Sequence, residues 1–105
     1  MKDYLNSVLR TCERTRDICA NILEEVNDGS TRSALVISSM EAVYSLQSLV
    51  RAYMHRYPEY FDNTRLGTRA RKFLVYSPEH WLKVKMHSRC FQNESSSVKY
   101  LDDLP

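Results

Sequence analysis

Apolar or small side chains recur at alternating steps of three and four along the start of the chain: Leu5, Val8, Cys12, Thr15, Cys19, Ile22 and Val26. That spacing holds a row on one side of an α-helix, and Leu9 and Leu23 widen the stripe. The pattern predicts a first helix over residues 3–28. Gly29 is placed to end it, because glycine takes positive φ without a Cβ clash. Arg16 falls inside the stripe, where its stem is expected to lie along the core while the guanidinium reaches a carboxylate. Glu13, Asp17, Glu24 and Asp28 form an acidic outer line, partly offset by Arg10 and Arg14, as on a solvated helix face.

Ser30 can cap a second helix, its hydroxyl accepting an early backbone N–H. The periodic pattern then runs over residues 31–57 and stops before Pro58, a length of about 40 Å. Val36, Met40, Val43, Val50, Met54 and Tyr57 make one apolar face; Leu35, Ala42, Leu46, Leu49 and Tyr53 make an adjoining one. Together they cover far more than the ~100° stripe of an ordinary surface helix, so this helix needs at least two neighbours. The first helix, folded back through the short turn at 27–30, supplies one. A C-terminal element or a second subunit supplies the other, which makes Leu35, Leu46, Leu49, Tyr53 and Tyr44 the interface candidates. Tyr44, Ser48, Arg51 and His55 form a further stripe that combines an aromatic ring, a hydroxyl, a guanidinium and an imidazole.

Residues 58–69 read as an irregular connector, with Gly67 marking a turn or a close backbone approach. Two readings compete for the stretch that follows. Alternation of Leu82, Val84 and Met86 with Lys83 and Lys85 is a strand signature and would make a short β-hairpin at 71–87. Ser77 as N-cap, Pro78 at the first helical position and Glu79 in the first turn instead predict a third helix over 78–91. Three start signals in order outweigh five alternating residues. The expected architecture is therefore all-α: a long antiparallel helical hairpin plus a C-terminal helix, three-helix bundle-like, in one domain spanning 1–92. Residues 93–105 form a polar and acidic tail.

Composition narrows the class without naming the activity. Two glycines and three prolines disfavour a turn-rich all-β fold. No uninterrupted apolar run approaches the ~18 residues of a bilayer span, and the early charges do not resemble a signal peptide. Three cysteines without a CxxC pair point to reduced thiols and a cytoplasmic location. Net charge is only +2, but its distribution is uneven: residues 1–50 carry five basic and seven acidic side chains, residues 51–101 ten and four. The second half thus suits an anionic partner or pairing with the first half.

No phosphate-cradling, metalloprotease or nucleophile-elbow motif occurs. His80, His87 and Cys90 fall short of a zinc ligand set, so neither metal nor cofactor is expected. What remains is binding. The leading expectation is a small non-enzymatic helical interaction protein, an adaptor, inhibitor or assembly subunit, that engages a protein partner or itself as a homo-oligomer through the second helix and no membrane. The alternative is a nucleic acid or another phosphate-bearing ligand, held by Arg51, His55, Arg65, Arg69, Arg71, Lys72, Lys83, Lys85 and Arg89 with Tyr76 or Trp81 as stacking rings. Against it, a pI near 8.5 is below the range above 9 usual for dedicated nucleic-acid domains.

Overall fold

The computed structural model describes residues 1–26 and 29–84. Among them the chain is all-α, with α1 (Lys2–Glu25), α2 (Gly29–Arg56), α3 (Pro58–Phe61), α4 (Arg65–Val75) and α5 (Pro78–Leu82), and no strand. Residues 71–75 and 78–82 are helical, so the hairpin alternative is not supported.

The inward face of α1 is Leu5, Leu9, Cys12 and Leu23. It is rotated from the expected stripe: Ile22 is exposed, and Leu9 and Leu23, expected only at the edge, are buried. The rotation follows from having neighbours on two sides, since α2 packs along one flank of α1 while α4 and α5 press on the other. The end of α1 also differs from expectation. Gly29 does not cap it at positive φ, and is instead the first residue of α2. Arg32 on α2 closes α1, its Nη1 donating to the carbonyls of Leu23 and Val26. A charged donor replaces the glycine turn in satisfying carbonyls that a helix end leaves open.

The expected connector at 58–69 is mostly helical, which is a second correction. Pro58 opens α3 at its first position. Asn63 at φ 57° reverses the chain, a conformation its short polar side chain tolerates. Thr64 then caps α4, its hydroxyl accepting from Gly67 N–H at 3.0 Å and donating to Tyr60 carbonyl at 2.7 Å. Leu66, Ala70 and Phe73, spaced four and three, bury one side of α4. Gly67 lies where α4 crosses α3; a Cβ built there falls 1.6 Å from the carbonyl oxygen of Phe61.

The third helix begins as predicted. Ser77 caps α5, accepting from His80 N–H at 3.2 Å, and Pro78 takes the first position. It ends at Leu82, short of the expected 91, because Lys83 adopts the left-handed conformation at φ 57°, ψ 41°. Val84 N–H then bonds Glu79 carbonyl at 3.1 Å and Lys83 N–H bonds His80 carbonyl at 3.2 Å, the paired bonds of a Schellman ending. The expected continuation to Phe91 and the tail at 93–105 lie outside the described residues.

Two apolar clusters form the core. Leu5, Leu9, Val50, Phe61, Leu66 and Phe73 fill one end; Leu23, Val43 and Leu82 fill the other, with Trp81 and Met40 against them. The radius of gyration, 15.4 Å, exceeds the ~13 Å of a typical domain of about 100 residues. The molecule is a slab of 44 × 30 × 16 Å, because α3, α4 and α5 gather on one side of the α1–α2 pair.

Candidate functional site

The side of the α1–α2 pair that the short helices occupy is fixed by polar contacts. Arg69 on α4 donates to Glu13 at 2.7 Å and to Asn6 at 3.0 Å, both on α1. Arg16 lies with its guanidinium carbon 4.0 Å from the Trp81 ring centre and pairs with Asp17 at 2.9 Å, so it finds both a carboxylate and an aromatic face. From α2, buried Gln47 donates to the carbonyls of Phe73 at 3.0 Å and Tyr76 at 2.7 Å. Trp81 Nε1 also donates to Phe73 carbonyl at 3.0 Å. The C-terminal end of α4 is thus satisfied by side chains from α2 and α5.

The opposite side of the pair carries no covering element among the described residues. Its α1 strip, running from Tyr4 through Val8 to Ile18 and Ile22, lies beside the α2 strip of Leu35, Ala42, Leu46, Leu49 and Tyr53. The two strips meet at Tyr4 and Tyr53, whose hydroxyls share a hydrogen bond of 3.0 Å. Ile18 is 55% exposed, Ile22 46% and Leu49 43%, while Val75 and Ile37 are exposed elsewhere on the surface. Of the five interface candidates only Leu49 is exposed there; Leu35, Leu46 and Tyr53 are half-buried against the core clusters, and Tyr44 is exposed on another flank of α2. Tyr53 is half-buried and stacks on Tyr57 at 6.3 Å, with Tyr60 edge-on beyond it at 6.4 Å. Its phenol is held above the ordinary value, first by the hydrogen bond with Tyr4 and then by burial.

The anion-binding candidates are not brought into one patch. Arg65 and Lys72, seven apart on α4, share its outer face. Arg71 lies on another edge, with Nη1 3.4 Å from Phe61 carbonyl. Arg69 is turned inward and committed to Glu13, which removes it from that set. Arg51 and His55 are exposed on α2, and Lys83 is exposed at the end of α5. Lys85, Arg89, His87 and Cys90 lie outside the described residues. Trp81 is occupied on its face by Arg16 and on its edge by Phe73 carbonyl, and Tyr76 stacks on His80 at 4.1 Å, so neither ring is a vacant platform.

A cleft of about 240 Å³ between the start of α1 and the α3–α4 corner was not legible from sequence. Lys2, Asn6, Glu59, Tyr60, Thr64, Arg65 and Leu66 line it, residues drawn from positions far apart in the chain. It mixes two cations with one carboxylate.

Helix α2 contains an 18-residue window of mean hydropathy 1.2, enough by length and composition to cross a membrane, of which 22% is buried in the fold. The absence of an uninterrupted apolar run therefore hid a helix that is apolar on average. Among the described residues no three His, Cys, Asp or Glu side chains converge as a metal site. No protein-family model, curated protein or solved structure matches the chain.

Proposed function

We propose that this chain is a small non-enzymatic helical interaction protein that docks a protein partner on the open face of α1 and α2. The carrying observation is that face itself: Ile18, Ile22 and Leu49 stay exposed because α3, α4 and α5 all pack on the other side. In this reading α4 and α5 together take the place of the third helix of a bundle, and the fourth place is left for the partner. Large apolar side chains left exposed on neighbouring helices are where an interaction site is sought. We read the apolar character of α2 as protein-facing, since its buried Gln47 and Ser39 belong to a packed interior. The odd cysteine count supports a cytoplasmic setting. The test is affinity capture with the wild-type chain and the Ile18→Asp/Leu49→Lys variant, matched for helicity and melting temperature. The reading expects a defined interactor that the variant loses; an interactor retained by the variant counts against this face.

A second reading, nucleic-acid binding, draws on the exposed cations of α4, Arg65, Arg71 and Lys72. It requires measurable binding to single-stranded or duplex oligonucleotides at ~50 mM salt, where phosphate contacts are strongest.

A further inference from the structure

We propose that the partner on this face is a second copy of the chain, held as an antiparallel dimer along an α2 seam of Leu35, Ser38, Ala42, Ser45, Leu49 and Ala52. The proposal rests on the interaction reading above. The six positions follow steps of three, four, three, four and three, the alternation that keeps a seam facing a partner helix. None of them is buried: Ser38, Ser45, Leu49 and Ala52 are exposed, and Leu35 and Ala42 are half-buried. Packing within one chain takes up part of Leu35, which lies against the Leu23, Val43 and Leu82 cluster, and leaves Ser38, Ser45, Leu49 and Ala52 exposed.

The order of side-chain sizes selects the partner. In an antiparallel pairing about a two-fold axis between Ala42 and Ser45, Leu35 lies opposite the second copy's Ala52. Leu49 lies opposite its Ser38, and Ala42 opposite its Ser45. Each leucine meets a small side chain, so the helices keep an even separation along the seam. A parallel pairing instead sets Leu35 on Leu35 and Leu49 on Leu49, which holds the helices apart and leaves gaps over the serines and alanines between. Charge agrees with self-pairing. Between Arg32 and Arg51 the helix carries a single charged residue, Glu41. The antiparallel register puts Glu41 near the second copy's Ser48, away from a like charge. A charge-poor face offers nothing to a strongly charged partner but matches itself.

Area is sufficient as well. A helix of 28 residues is about 42 Å long, and with the neighbouring α1 strip of Ile18 and Ile22 the face offers on the order of the ~800 Å² per partner of a standard interface.

Sedimentation equilibrium of the whole chain up to ~100 μM, a concentration that reveals an interface of this size, should give twice the 12.3 kDa chain mass. Leu49→Lys should be monomeric with unchanged helicity, because Leu49 is exposed in the monomer. Mixing Leu49→Lys with Ser38→Asp should restore a dimer, since only the antiparallel register places those positions opposite each other. A wild-type monomer overturns the proposal, as does a dimer that Leu49→Lys leaves intact. So does wild-type partition onto phosphatidylcholine vesicles that Leu49→Lys abolishes, which assigns the face to lipid. A monomer whose other protein interactor is lost with Leu49→Lys overturns self-pairing while leaving the interaction reading standing.

Discussion

Gly67 shows how one backbone position sets the corner of this fold. With a Cβ 1.6 Å from Phe61 carbonyl oxygen, Gly67→Ala forces α3 and α4 apart, and the contact is with backbone, which has no rotamer to yield. Overpacking ordinarily costs 1–3 kcal/mol, and a clash of this depth belongs at about 3 or above. Urea unfolding should show that loss, whereas a variant within ~0.5 kcal/mol of wild type would mean that the corner relaxes freely. Cys12 makes a milder prediction. Burial first, and then the charge of Glu13, push its thiol above the ordinary 9.0. The folded chain therefore keeps a proton that the unfolded chain releases. Stability from this group is full below pH 9 and falls as pH rises through the higher folded value. Cys12→Ala should flatten the decline in melting temperature above pH 9; an unchanged slope assigns the decline to other groups.

At the level of elements, the ends of helices explain more than their middles. Gln47 serves two carbonyls at the end of α4, and Trp81 shares only one of them, that of Phe73. Gln47→Leu keeps the volume but leaves Tyr76 carbonyl without this donor, and should cost about 1–3 kcal/mol. Equal stability by chemical denaturation would show that water replaces the amide. Lys83 lies in the left-handed region at the end of α5, so Lys83→Gly should stabilise by up to ~1 kcal/mol; a lower melting temperature would argue against the Schellman ending. The same ends mark where the sequence was readable. Periodicity located α1 and α2, and Ser77, Pro78 and Glu79 announced α5, because these signals are local. Helix α4 was obscured by Asn63, Thr64 and Gly67, which resemble a loop although Thr64 is a cap and Gly67 a crossing point. Leu66, Ala70 and Phe73 carried the helical signal there. Arg69 read as a free cation because its partner, Glu13, lies 56 positions away, and no local pattern reports a contact at that range.

For the molecule as a whole, the charge imbalance between the two halves is not simply a basic surface. One of the second half's cations, Arg69, is spent on pairing with Glu13 of the first half, the internal outcome that the sequence left open. This changes what nucleic-acid binding can look like if it occurs. The exposed cations of α4, Arg65 and Lys72 on one face and Arg71 on another edge, neutralise at most three phosphates, so log K should fall with log[salt] at a slope of about −2.1 to −2.7. Affinity would then drop roughly 20- to 40-fold between 50 and 200 mM salt. The eight candidates other than Arg69 acting together, including Arg51, His55, Lys83, Lys85 and Arg89, would give a slope steeper than about −6. Fluorescence anisotropy with a labelled oligonucleotide across a salt series separates these cases. A shallow slope that Arg65→Glu/Lys72→Glu removes confines the contact to α4, and a steep slope brings the residues beyond Val84 into it. No binding at ~50 mM, where phosphate contacts are strongest, removes the nucleic-acid reading.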